Sequence, residues 1–148
     1  MCRTYAISLA VLAVAFLLRV LGQALVALFS VDFLPPMHQW QSGLIPYGLL
    51  LTIQLMILGL QAKISADIWR GAGRLARCRP RGGRILLWSS VVYFLAMVVR
   101  YALTMYLHPE RRWFTGTIPI IFHWVLAAYL FLLGKYYASA HCVTPAKS

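Results

Sequence analysis

The chain has 148 residues, of which 61% are hydrophobic, and its mean hydropathy is +0.75. Soluble domains average about 45–50% apolar residues, so this composition excludes an ordinary soluble domain. The net charge of +11 would suit nucleic acid, but seven of the fourteen basic residues lie in one stretch, residues 63–84, between two apolar segments. That placement indicates a membrane topology signal and excludes a nucleic-acid partner.

Four apolar segments are long enough to cross a bilayer, for which a helix needs roughly 20 mostly apolar residues. They cover about residues 5–29, 44–62, 85–107 and 116–137. Little chain remains outside them for a soluble domain. We therefore predict an all-α integral membrane protein in which residues 1–148 form a single domain of four transmembrane helices.

The basic loop, residues 63–84, sets the predicted orientation because loops rich in Lys and Arg stay in the cytoplasm. Two helices lie on either side of this loop, so both termini are predicted to be cytoplasmic. Arg111 and Arg112 lie in the short outer loop and oppose this orientation, but two basic residues do not outweigh seven. We expect a bacterial inner (plasma) membrane protein.

The basic loop is also expected to contact anionic lipid headgroups. Within it, residues 64–75 have a second interpretation as a short interfacial helix. In that case Ile68, Trp69 and Leu75 would face lipid.

A short motif, W-x-[S/T]-G-x-I-P, occurs twice, as WQSGLIP at residues 40–46 and as WFTGTIP at residues 113–119. Each copy opens an apolar segment and follows another that contains one arginine, Arg19 or Arg100. The chain therefore looks like two parallel helix-hairpin repeats, related by an axis along the membrane normal. The alternative is a helix-start signal used twice, with an interfacial tryptophan, a serine or threonine cap and a first-turn proline.

Polar side chains interrupt all four apolar segments. Arg19 lies about ten residues, or roughly 15 Å, below the outer end of its segment, too deep for easy snorkelling. Arg100 lies about seven residues, or roughly 10 Å, below the outer end of its own segment, where snorkelling remains feasible. Gln23 shares a helix face with Arg19, Gln54 is near the middle of the second segment, and His123 is within two turns of the start of the fourth. Such stripes are typical of helix contacts within membranes.

The three acidic residues, Asp32, Asp67 and Glu110, all fall in loops or at their edges. A buried arginine without compensation is strongly destabilising. We therefore expect backbone carbonyls, water, a lipid phosphate, an anionic ligand or an acid from another subunit to satisfy the two arginines. The predicted ligand-binding residues are Arg19, Gln23, Gln54, Arg100 and His123, with Trp40, Trp113 and Tyr47 near the mouth of the pocket.

Catalysis finds little support, because the chain has neither a serine–histidine–acid set nor a carboxylate pair at membrane depth. His123 alone would suit a five-coordinate haem or pigment, but no second histidine lies at a matching depth, and no metal site is predicted.

We predict a non-catalytic small membrane subunit that packs with other membrane subunits or with its own copies. It would hold a lipid, quinone or pigment near the arginines. The alternative is a small carrier or binding protein for an organic anion.

Overall fold

Among the residues that it describes, the computed structural model of the chain contains four α-helices, which confirms the predicted all-α arrangement of four membrane-length helices. The structure describes residues 2–29, 46–77, 79–107 and 118–139. The helices are α1 (Cys2–Phe29), α2 (Tyr47–Arg70), α3 (Pro80–Leu107) and α4 (Ile118–Ala138). Each is long and apolar enough to cross a membrane, which is how an integral membrane protein is built.

Helix α2 continues to Arg70, well beyond its predicted end at residue 62. Ile64 and Ile68, one helical turn apart, are both buried, so one face of the last two turns packs inside the protein. The helix ends at Gly71, whose φ of 62° lies in the left-handed region that favours glycine. The interfacial-helix interpretation is therefore wrong: the segment continues α2, and Ile68 does not face lipid.

Helix α3 begins at Pro80, five residues before its predicted start at residue 85. Proline is tolerated in the first turn because the N–H group that it lacks would have no partner within the helix. The basic loop between α2 and α3 therefore shortens from residues 63–84 to residues 71–79. Apolar length marks the part of a helix that crosses the bilayer, whereas capping and packing set where the helix ends. The predicted starts at residues 44 and 116 lie outside the described residues.

The helices pack as an open, antiparallel arrangement. Helix α1 packs against α2 and α4, and α3 packs against α4, whereas α2 and α3 do not pack closely together. Contacts between Arg3 and Trp69 and between Gln23 and Gln54 show that α1 and α2 run in opposite directions. A two-fold relation between the hairpins would pair α2 with α3 as α1 pairs with α4, so the packing is not two-fold symmetric.

The best-packed part of the core lies at the end of the bundle that carries the basic loop. Here α4 is tied to its neighbours by three tyrosine hydroxyls that donate to backbone carbonyls. Tyr129 donates to Gln61 O (3.2 Å), Tyr136 to Ala76 O (2.8 Å) and Tyr137 to Leu75 O (2.7 Å). These bonds fix the end of α2 and the basic loop against α4.

Helices α3 and α4 make their closest approach at Gly83 and Gly134. A Cβ atom at Gly83 would lie 2.6 Å from the backbone nitrogen of Ala138. One at Gly134 would lie 2.9 Å from the backbone nitrogen of Leu87. Small residues allow helix backbones to approach closely in membranes. The two glycines therefore set the spacing of α3 and α4.

Candidate functional site

A cavity of about 190 Å³ lies in the half of the bundle remote from the basic loop, and all four helices line it. Helices α2 and α3 both contribute to the lining, but they do not pack closely together, so a gap between them lies beside the cavity. Pockets for drug-sized ligands measure about 300–1,000 Å³, so this volume suits the head of a larger molecule. The lining residues are Phe16, Arg19, Leu50, Ile53, Gln54, Ile57, Tyr93, Phe122, His123 and Leu126.

Arg19 places a positive charge in the cavity wall, and its side chain is only 7% exposed. Its guanidinium carbon lies 5.8 Å from the centroid of the Phe122 ring, which is within the range of a cation–π contact. Tyr47, at the start of α2, also lies within electrostatic range of the guanidinium. A charged side chain held at membrane depth marks a functional site by default.

Gln23 and Gln54 form a buried amide pair beside Arg19, with exposed fractions of 0% and 4%. Gln54 Nε2 donates to Gln23 Oε1 at 3.1 Å. This bond uses one group of each amide, and Gln23 Nε2 and Gln54 Oε1 have no hydrogen-bond partner among the described residues. Gln54 lines the cavity, and because an amide oxygen accepts hydrogen bonds, this residue adds an acceptor to the polar groups around it.

His123 and Tyr93 complete the polar part of the cavity. Both side chains are half-buried, and their ring centroids lie 6.0 Å apart with 46° between the ring planes. A neutral imidazole carries one donor and one acceptor nitrogen, and a phenol can donate or accept. Tyr93 on α3 and His123 on α4 therefore add both hydrogen-bond donors and hydrogen-bond acceptors to the cavity wall.

Arg100 does not line the cavity, and its side chain is exposed on α3. It lies seven residues, or two helical turns, beyond Tyr93 on the same face and acts electrostatically on the Tyr93 hydroxyl. Arg100 therefore lies on α3 nearer the end of the bundle that is remote from the basic loop. Of the predicted set, the structure brings together Arg19, Gln23, Gln54 and His123. Trp40 and Trp113 lie outside the described residues.

Among the lining residues missing from the predicted set, Tyr93 and Phe122 contact its polar members, His123 and Arg19. Tyr93 shares a helical face with Arg100, and that spacing was sufficient to include it. Phe122 contacts the Arg19 guanidinium through its ring, but an apolar residue within an apolar segment carries no signal for this role.

The site has the chemistry of a binding pocket with one cation and several neutral polar groups. Within the parts of the chain that the structure describes, no three histidine, cysteine or acidic side chains come together as a metal site. Comparison of the chain with protein-family models, curated proteins and solved structures found no match.

Proposed function

We propose that this protein is a non-catalytic small membrane subunit that holds the polar head of a lipidic ligand, such as a lipid or a quinone, beside Arg19. One observation carries the proposal: a buried cation and a buried amide line a cavity beside the gap between α2 and α3, which do not pack closely together. An opening through this gap would admit molecules that already reside in the bilayer. The apolar side chains of Leu50 and Ile53, which line the cavity on α2, suit a hydrocarbon tail.

The polar groups of the cavity define the head that it would hold. The guanidinium of Arg19 only donates hydrogen bonds, so it suits a phosphate, carboxylate or carbonyl oxygen. The Oε1 atom of Gln54 accepts a hydrogen bond, so it suits a hydroxyl or N–H group on the same head. His123 can serve either group. The ligand would therefore carry an anionic or carbonyl oxygen and a nearby donor.

Helix α3 is the surface that we assign to other membrane subunits or further copies of this chain. Of its residues, all of which the structure describes, only Gly83 and Ser90 are buried. Arg100 is exposed on the same helix, seven residues before its end at Leu107. A partner helix that supplies a polar or acidic group would stabilise this charge more than lipid tails would.

The proposed orientation places the basic loop and both termini in the cytoplasm of a bacterial cell, with two hairpins of the same orientation in its inner membrane. Arg70, Arg74 and Arg77 are exposed at this end and are free to contact anionic headgroups. In this orientation each copy of the W-x-[S/T]-G-x-I-P motif leads, along the chain, into an inward-running helix. The test is the Arg74→Cys variant of a chain in which the three native cysteines have been replaced by serine. Its single cysteine should react with a membrane-impermeant maleimide only after the cells are opened. Labelling of intact cells would reverse the orientation.

Native mass spectrometry of the protein gently extracted from its membrane tests the proposed site. We expect a discrete small adduct on the wild-type chain that Arg19→Leu removes. Arg84→Leu, which removes an exposed charge at the basic end, is the matched control and should keep the adduct. Retention of the adduct by Arg19→Leu would refute the site, and a bare wild-type chain with neither adduct nor partner would refute the function.

The alternative function, a carrier for an organic anion, receives less support. A carrier needs a path from its site to both faces of the membrane. Toward the basic end, the space between α1, α2 and α4 is filled by a buried apolar cluster that includes Leu9, Ile68 and Tyr136. The gap between α2 and α3 would lead instead into the bilayer.

A further inference from the structure

A second concavity, the α1–α2 groove, lies near the basic end and is almost wholly apolar. Its main section has a volume of about 470 Å³. An adjoining section of about 340 Å³ shares Ala10, Val14 and Ser65 with it and extends to Leu17 and Leu58. The residues that line the main section are Ala6, Ile7, Ala10, Val11, Val14, Ser65, Ala66 and Trp69.

The length of the groove matches one leaflet of a bilayer. From Ile7 to Leu17 the groove follows ten residues of α1, or about 15 Å at 1.5 Å per residue. The hydrocarbon core of a bilayer is about 30 Å thick, so the groove covers about half of it. The alanines on its floor provide the depth, and larger side chains, such as Ile7 and Trp69, form its walls. A single acyl chain suits this shape.

A cation stands at the basic end of the groove. The guanidinium carbon of Arg3 lies 5.6 Å from the centroid of the Trp69 ring, and both side chains are exposed. Arg70 follows Trp69 in the chain and is also exposed. Tryptophan favours the level of the lipid headgroups. The groove therefore combines an apolar channel of one-leaflet length with positive charge at the level of the headgroups.

We infer that the α1–α2 groove binds one anionic phospholipid, with an acyl chain along Ala10 and Ala66 and the phosphate at Arg3. Charge complementarity selects the anionic lipid, because a zwitterionic lipid fills the channel equally well but gains less from Arg3. This site is separate from the Arg19 cavity, which lies in the opposite half of the bundle. It depends on the proposed orientation only for its assignment to the cytoplasmic leaflet.

Native mass spectrometry of the full chain in detergent, with added phosphatidylglycerol or phosphatidylcholine, tests this inference. We expect the wild-type chain to retain one phosphatidylglycerol in preference to phosphatidylcholine. Arg3→Gln should weaken phosphatidylglycerol retention about fivefold and leave phosphatidylcholine unchanged. Arg81→Gln, an exposed arginine of the same end on α3, is the matched control and should have no effect.

A second pair of variants tests the channel. Ala10→Leu fills the groove from an exposed position, so it should reduce retention of both lipids without disturbing the fold. Ala128→Leu, at an exposed alanine on α4, is its control. Equal losses in Arg3→Gln and Arg81→Gln would show a diffuse basic surface and overturn the inference. Equal retention of the two lipids by the wild-type chain, or no effect of Ala10→Leu, would also overturn it.

Discussion

The contact between α3 and α4 gives the sharpest test of the fold, through the substitution Gly134→Ala. The added methyl group would lie 2.9 Å from the backbone nitrogen of Leu87 and 3.0 Å from the carbonyl oxygen of Gly83. Both atoms belong to the α3 backbone, so α3 must move as a whole. Overpacking of this kind destabilises proteins by about 1–3 kcal/mol, and the better helix propensity of alanine offsets about 0.5–1 kcal/mol of that. The expected net loss is about 0.5–2 kcal/mol.

Gly59 provides the matched control, because it lies within α2 and a Cβ atom there meets nothing within 4 Å. Gly59→Ala should therefore be neutral or slightly stabilising. Thermal unfolding in detergent, followed by tryptophan fluorescence, measures the difference. The loss of about 0.5–2 kcal/mol corresponds to a decrease in Tm of roughly 1–8 °C for Gly134→Ala. If both variants unfold at the same temperature, the close approach of α3 to α4 is refuted.

Two further substitutions test the cavity and the tyrosine bonds. Gln54→Glu puts a carboxylate in the cavity that Arg19 also lines, so we expect loss of an anionic adduct in native mass spectrometry. An adduct that persists in this variant would contradict an anionic ligand. Tyr136→Phe removes the bond to Ala76 O and should destabilise the chain by about 0.5–1.5 kcal/mol and speed hydrogen exchange in the basic loop. Tyr106→Phe, at a residue that is 83% exposed, should change neither property, and equal effects of the two substitutions would count against the bond.

The number of helices could be predicted from the sequence because the thickness of a bilayer fixes the length of an apolar segment that crosses it. The residue at which α2 ends and the residue at which α3 begins could not be predicted in this way. Arg70 and Pro80 lie beyond the apolar segments, and only the burial of Ile68 and the left-handed turn at Gly71 show where α2 stops. Hydrogen bonds within a helix do not depend on whether its surface is apolar.

The candidate site, like the helix boundaries, could be predicted from the sequence only in part. A polar residue within an apolar segment is visible in the sequence, which is how Arg19, Gln54 and His123 were found. Which of these residues meet depends on how each helix is rotated, and lipid gives no hydrophobic signal for that rotation, because lipid-facing and buried positions are equally apolar. Only the tertiary structure, through backbone contacts such as Gly83 with Gly134, decides that Arg19 lines the cavity while Arg100 stays outside it.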